Sequence, residues 1–171
     1  MALAATTPQT RKGLGYAVFM TVAMAATVGS ALGFEHIGGY IPCALCLLER
    51  EPYYYGVPIG ILAIGACVLS LPTWIVRLLL VILGIMMLVG AGMGVYHSGV
   101  EWGFWPGPTA CGGSTAITTN AGNLLGDLNT VHGPSCADAA LRVLGLSFAG
   151  WNVVASVFLA AVAFIGAKKA A

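Results

Sequence analysis

Two cysteines stand three apart in IPCALCLLER, Ile41 to Arg50, with Pro42 before them and Arg50 four residues after Cys46. Glu49 and Glu51 flank the arginine. A Cys-x-x-Cys pair cycles between dithiol and disulfide, or it ligates a metal. As a staple it closes a very short loop and stabilises little. Zinc asks for four ligands, a number that Cys43, Cys46, His36 and His97 can supply. Redox use fits the surroundings best. Pro42 suits the first position of a helix, which puts Cys43 and Cys46 in the first turn. There free backbone N–H groups and the helix dipole favour a thiolate. Arg50 falls on the helical face of Cys46, where a guanidinium stabilises a thiolate and can donate to a ligand. The plainer reading of Arg50 is a membrane-boundary anchor paired with Glu49 or Glu51, themselves read as solvated interfacial charges.

The elements that must hold this segment are membrane helices. Charged residues make up 8% of the 171-residue chain and hydrophobic ones 58%, whereas soluble domains carry about 25% charged residues. Four apolar runs approach the roughly 20 residues that cross a bilayer: Leu14–Phe34, Tyr53–Leu71, Trp74–Tyr96 and Phe148–Ala167. The first is too long for a signal-peptide core and reads as a retained anchor. Only Pro72 and Thr73 separate the second and third runs, so these form a tight antiparallel hairpin. Gly29/Gly33, Gly56/Gly60 and Gly90/Gly94 are small-xxx-small pairs suited to close helix approach. The expectation is a single all-α membrane domain, a bundle of four transmembrane helices. Its spans are about 14–34, 46–71, 74–96 and 147–167, with loops at about 35–45 and 97–146.

Charge orients the bundle. With four spans, Arg11, Lys12, Arg77, Lys168 and Lys169 fall on one side, and Arg50 and Arg142 on the other. The positive-inside rule makes both termini cytoplasmic. The six acidic residues and three histidines then lie outside, as do Cys43 and Cys46 in the first loop and Cys111 and Cys136 in the second. Cys67 reads as a small buried hydrophobe. An even number of cysteines facing an oxidising compartment suggests two disulfides. Cys43–Cys46 and Cys111–Cys136 are the expected pairs, although cross-loop pairings are also open. The net charge of +1 gives no reason to expect nucleic acid.

A disulfide that oxidises other proteins must be reoxidised, and in a membrane a lipid quinone is the natural acceptor. Its site would lie near Cys46 at the outer end of the bundle. His97, closing the third run at that level, could donate to a quinone carbonyl or move a proton.

PCALCLLER is similar to the Pro-Cys-x-x-Cys-x-x-Glu-Arg signature of the bacterial disulfide bond formation protein B (DsbB) family. The resemblance extends through YHSGVEWGFWPGPTAC and PSCADAALRVLGLSFAGWN, from helix one to helix four. It implies an inner-membrane oxidoreductase with its active side periplasmic. Electrons would pass from a periplasmic thioredoxin-like oxidase of DsbA type to ubiquinone, or to menaquinone without oxygen. It also implies roles: Cys111 is attacked by the partner's thiolate, and Cys136, once released, attacks Cys43. Cys46 becomes the thiolate facing the quinone, with Arg50 stabilising it and His97 close by. The stretch between Cys111 and Cys136 is rich in Gly, Ser, Thr and Asn, as a mobile loop would be. Within it Leu124, Leu125, Leu128 and Val131 have the spacing of a short membrane-surface helix. Trp102, Phe104 and Trp105 read as an interfacial aromatic belt. The rival readings are a dedicated-partner sister or a vitamin K epoxide reductase-like enzyme, a disulfide-stapled subunit without catalysis, and a haem protein using His36 and His97.

Overall fold

The computed structural model describes residues 8–108 and 135–170. Within them run four helices: α1 Pro8–His36, α2 Ala44–Val68, α3 Thr73–Glu101 and α4 Phe148–Lys169. A two-residue β-hairpin, β1 Arg142–Val143 and β2 Leu146–Ser147, leads into α4. α3 packs most extensively on α4, α1 on α2 and α2 on α3, while the seam between α1 and α4 is looser.

α1 from Gly13, α3 and α4 are long and apolar enough to cross a membrane. α2 is the exception, because Glu49, Arg50 and Glu51 lie in its second turn. Met20, Met24, Leu80, Leu83 and Met87 fill the bundle interior. Val22, Tyr55, Leu62, Trp74 and Phe158 face outward and are more than half exposed. An apolar face this extensive belongs in lipid rather than water.

Two of the three glycine pairs make the helix contacts. A Cβ on Gly60 would meet Thr21 Oγ1 of α1, and one on Gly56 would come within 2.6 Å of Met24 Sδ. Gly90 and Gly94 seat α3 on Ser156 and Val153 of α4. Gly29 and Gly33, expected to do the same, have open space around them. Spacing marks a small-residue stripe but not whether a neighbour lies over it. Inside the bundle, Tyr53 Oη donates to Asn152 Oδ1 at 2.7 Å, and Asn152 Nδ2 donates to the Gly90 carbonyl. This chain ties α2, α3 and α4 together through groups that lipid could not satisfy.

The helix ends shape the site. Cys43 is the N-cap of α2, with Pro42 just outside the helix rather than at its first position. α3 continues one turn past the expected end at Tyr96, so His97 and Glu101 belong to the helix. They can, because both side chains are buried against neighbouring groups rather than left in lipid. The hairpin before α4 was not foreseen. Leu144 and Gly145 take φ of 52° and 85°, a two-residue turn with both central residues left-handed. Trp151 Nε1 donates to the Val143 carbonyl and holds the hairpin over the bundle end.

Gly60→Leu overpacks the α1–α2 contact and should cost about 1–3 kcal/mol. Gly29→Leu should cost little. Thermal unfolding of the two variants in detergent checks this: a lowered midpoint for the first only is expected, and equal midpoints would contradict the packing.

Candidate active site

The N-terminus of α2 gathers the chemistry. The Cys46 backbone N–H donates to Cys43 Sγ at 3.3 Å, so a sulfur occupies the place a Ser or Asp oxygen usually takes at an N-cap. The same turn brings Cys46 Sγ to 3.1 Å from Cys43 Sγ. The pair is therefore a reduced dithiol, not the Cys43–Cys46 disulfide expected from the sequence, whose sulfurs would lie about 2.05 Å apart. It differs from that bridge by two electrons and two protons, within a turn whose geometry needs little change to close it.

His97 reaches this pair from α3. Its Nε2 lies 3.6 Å from Cys43 Sγ and its Nδ1 is 2.7 Å from Glu49 Oε1. Cys43, His97 and Glu49 thus form a thiol–imidazole–carboxylate chain, the arrangement by which a base activates a sulfur nucleophile. All three are buried: 5%, 2% and 7% exposed. Glu49 is therefore not the solvated interfacial charge read from the sequence. It lies three residues after Cys46, on the helix face of the thiols, and that spacing was the signal available.

The thiolate belongs on Cys43. The hydrogen bond from Cys46 does most to hold the Cys43 thiol down, to about 4 from an ordinary 9.0. Burial opposes this, and His97 assists through its hydrogen bond and charge. Expectation had placed the thiolate on Cys46 with Arg50 beside it. Arg50 instead pairs with Glu35 at the end of α1. Cys43 alone also accepts the Cys46 backbone N–H at the cap, a smaller contribution in the same direction.

Cys136 is brought to the same place. It is disulfide-bonded and 2% exposed, in an apolar cluster with Cys43, Leu45 and Val100, against which Cys46 packs. Cys111, and with it the expected Cys111–Cys136 pairing and the surface helix at residues 124–131, lies outside the described residues. Cys67 is buried in the core, as read. Cys43, Cys46 and His97 present three atoms within 4.8 Å that could hold a metal. His36, the fourth ligand considered for zinc, is exposed and outside that group. Nor do His36 and His97 form a haem pair, because His97 spends its ring nitrogens on Glu49 and Cys43.

A cavity of about 610 Å³ opens beside the dithiol. Cys43, Cys46, Glu49, Arg50 and His97 line its polar side, and Val28, Phe34, Tyr53, Phe148 and Trp151 its apolar side. A cysteine pair with one buried, acidic thiol thus stands on the wall of a ligand-sized apolar cavity in a helical bundle. The family model for disulfide bond formation protein DsbB matches residues 14–166. The chain belongs to the DsbB family.

Two curated relatives agree in extent. A Disulfide bond formation protein B of Saccharophagus degradans is 29% identical over 147 residues, covering 82% of this chain and 85% of the relative. An uncharacterized protein of Rickettsia prowazekii is 28% identical over 146 residues, covering 83% and 80%. No solved structure matches. Membership of the DsbB family, with three helices able to cross a bilayer, makes this a multi-pass membrane protein and supports a role in disulfide bond formation.

Alkylation of the reduced protein, followed at Cys43 by peptide mass, should titrate with a midpoint near 4. Cys46→Ala removes the largest cause and should move the midpoint upward by more than a unit. Because the folded-state value is depressed, this ionisation stabilises the reduced fold above the ordinary thiol range and is lost as pH falls through 4. An unmoved midpoint in Cys46→Ala would show that another group holds the thiolate.

Proposed function

We propose that the protein is a thiol:quinone oxidoreductase that reoxidises a periplasmic thioredoxin-like oxidase of DsbA type and passes the electrons to a lipid quinone. The observation that carries this is the dithiol on the wall of the 610 Å³ cavity, with Cys136 packed on Cys43. The volume is within the usual range for small-molecule sites. The apolar lining suits a quinone ring and the start of its tail, and the Arg50 guanidinium, with further N–H groups beyond the one on Glu35, is a donor for its carbonyl oxygens. Ubiquinone, or menaquinone without oxygen, is the substrate class.

The reading assigns an order of transfer. The partner's thiolate attacks Cys111, forming a mixed disulfide, breaking the Cys111–Cys136 bond and releasing Cys136. Cys136, already in the cluster of Cys43, attacks Cys43, forming a Cys43–Cys136 bond and releasing Cys46. The partner's second thiol then attacks the mixed disulfide, so the partner leaves oxidised and Cys111 is freed. Cys111 attacks Cys136, re-forming the Cys111–Cys136 bond and releasing Cys43. The Cys43/Cys46 dithiol then gives two electrons and two protons to the quinone, forming hydroquinone and restoring the disulfide. In the last step His97, held by Glu49, stands beside the Cys43 thiolate as the carrier of its proton, and the Cys46 thiol supplies the other. The charge pattern supports an inner-membrane location with cytoplasmic termini and this chemistry on the periplasmic side.

Reconstituting the full chain in lipid with a reduced thioredoxin-like protein and a short-chain ubiquinone tests the reading. Quinone-dependent oxidation of the partner is expected, with no turnover in Cys46→Ser. A reduced partner lacking its second cysteine should accumulate a mixed disulfide through Cys111 of the unmodified chain. A stapled, non-catalytic subunit would give no quinone-dependent oxidation, and a complex through Cys43 would reverse the order. Arg50→Met should raise the quinone KM, roughly tenfold for a lost charge-assisted hydrogen bond, while leaving the Cys43 midpoint in place.

A further inference from the structure

Glu101 is the last residue of α3, and its side chain is 4% exposed although it lines the cavity. Its Oε1 lies 3.9 Å from His97 Nε2. Its Oε2 is buried and has no hydrogen-bond partner among the described residues. A buried carboxylate oxygen without a donor is costly, and nothing in the thiol chemistry above uses it. The two other acidic groups on this part of the wall are already satisfied, Glu49 by His97 and Glu35 by Arg50. Asp138, the remaining acidic residue of the described lining, is exposed, so Glu101 holds the buried carboxylate oxygen there that waits for a donor from a ligand.

We propose that Glu101 is a hydroquinone-selecting contact, an acceptor for one O–H of the reduced acceptor. This rests on the quinone reading given above. A quinone presents only carbonyl acceptors and has nothing to give a carboxylate. Its two-electron, two-proton product presents O–H donors. When the Cys43/Cys46 dithiol closes to a disulfide and the ring gains two electrons and two protons, a new O–H meets Oε2 and a charge-assisted hydrogen bond forms. Glu101 keeps no proton and no electron. Its contact exists only after reduction, so it favours the reduced state of the bound ring and adds to the driving force for disulfide formation. The same contact makes the product slow to leave.

Direct binding tests this without turnover. The full chain carrying Cys46→Ser, which cannot complete electron transfer, is titrated calorimetrically in detergent under argon. The ligands are decyl-ubiquinone and its hydroquinone. Hydroquinone should bind roughly tenfold tighter, the size of one charge-assisted hydrogen bond. Adding Glu101→Gln should bring the ratio of the two Kd values to below about twofold by weakening hydroquinone alone, and the unmoved quinone Kd would report an intact fold. A ratio that survives Glu101→Gln overturns the assignment and leaves the quinone reading standing. If neither ligand binds the parent chain, the quinone reading fails and takes this contact with it. In turnover by the unmodified chain, Glu101→Gln should relieve product inhibition by hydroquinone by a similar factor. An equal change in KM and in the inhibition constant would mark Glu101 as a structural residue only.

Discussion

The site depends on one capping interaction, the Cys46 backbone N–H donated to Cys43 Sγ at the start of α2. A helix N-terminus offers unpaired N–H groups and a positive dipole end. Placing a sulfur there turns a requirement of helix formation into stabilisation of a thiolate. The same turn brings the second sulfur to 3.1 Å. Capping, acidity and proximity for disulfide closure therefore come from a single turn of backbone, and a displaced helix start would lose all three together.

The bundle serves this turn by carrying a base to it. α3 extends past the apolar run so that His97 arrives beside Cys43, with Glu49 of α2 gripping the other ring nitrogen. Such polar groups are tolerable within the bundle only because each finds a partner there. A Cβ at Gly90 would also lie 3.5 Å from Pro52, so this glycine lets α2 and α3 approach closely below these hydrogen bonds. The looser α1–α4 seam borders the cavity, with Phe34 of α1 and Phe148 of α4 both in its lining.

Much of this was legible in the sequence, and the misses have physical causes. Hydropathy located the helices because lipid demands long apolar runs, and the Cys-x-x-Cys spacing located the chemistry. Hydropathy could not locate the end of α3, since it counts His97 and Glu101 as breaks while their pairing makes them part of the helix. Helical spacing put Arg50 on the face of Cys46, but the side chain found Glu35, a partner fifteen residues back on another helix. Glu49 was read as solvated because its burial depends on a histidine 48 residues away. Gly29 and Gly33 were misread for a related reason, since the neighbour a stripe packs on is not written in the stripe. The turn at Leu144–Gly145 has a sequence signal, a left-handed pair with glycine second, but strands of two residues carry no alternation to mark the hairpin around it.

The central claim is that Glu49 acts on the Cys43 thiolate through His97. The pH dependence of Cys43 alkylation in reduced protein, measured for Glu49→Gln, His97→Phe and the double variant, tests it most directly. The account predicts that Glu49→Gln raises the Cys43 midpoint when His97 is present and has no further effect once His97 is replaced. A Glu49→Gln shift of the same size in both backgrounds, or none in either, would contradict it.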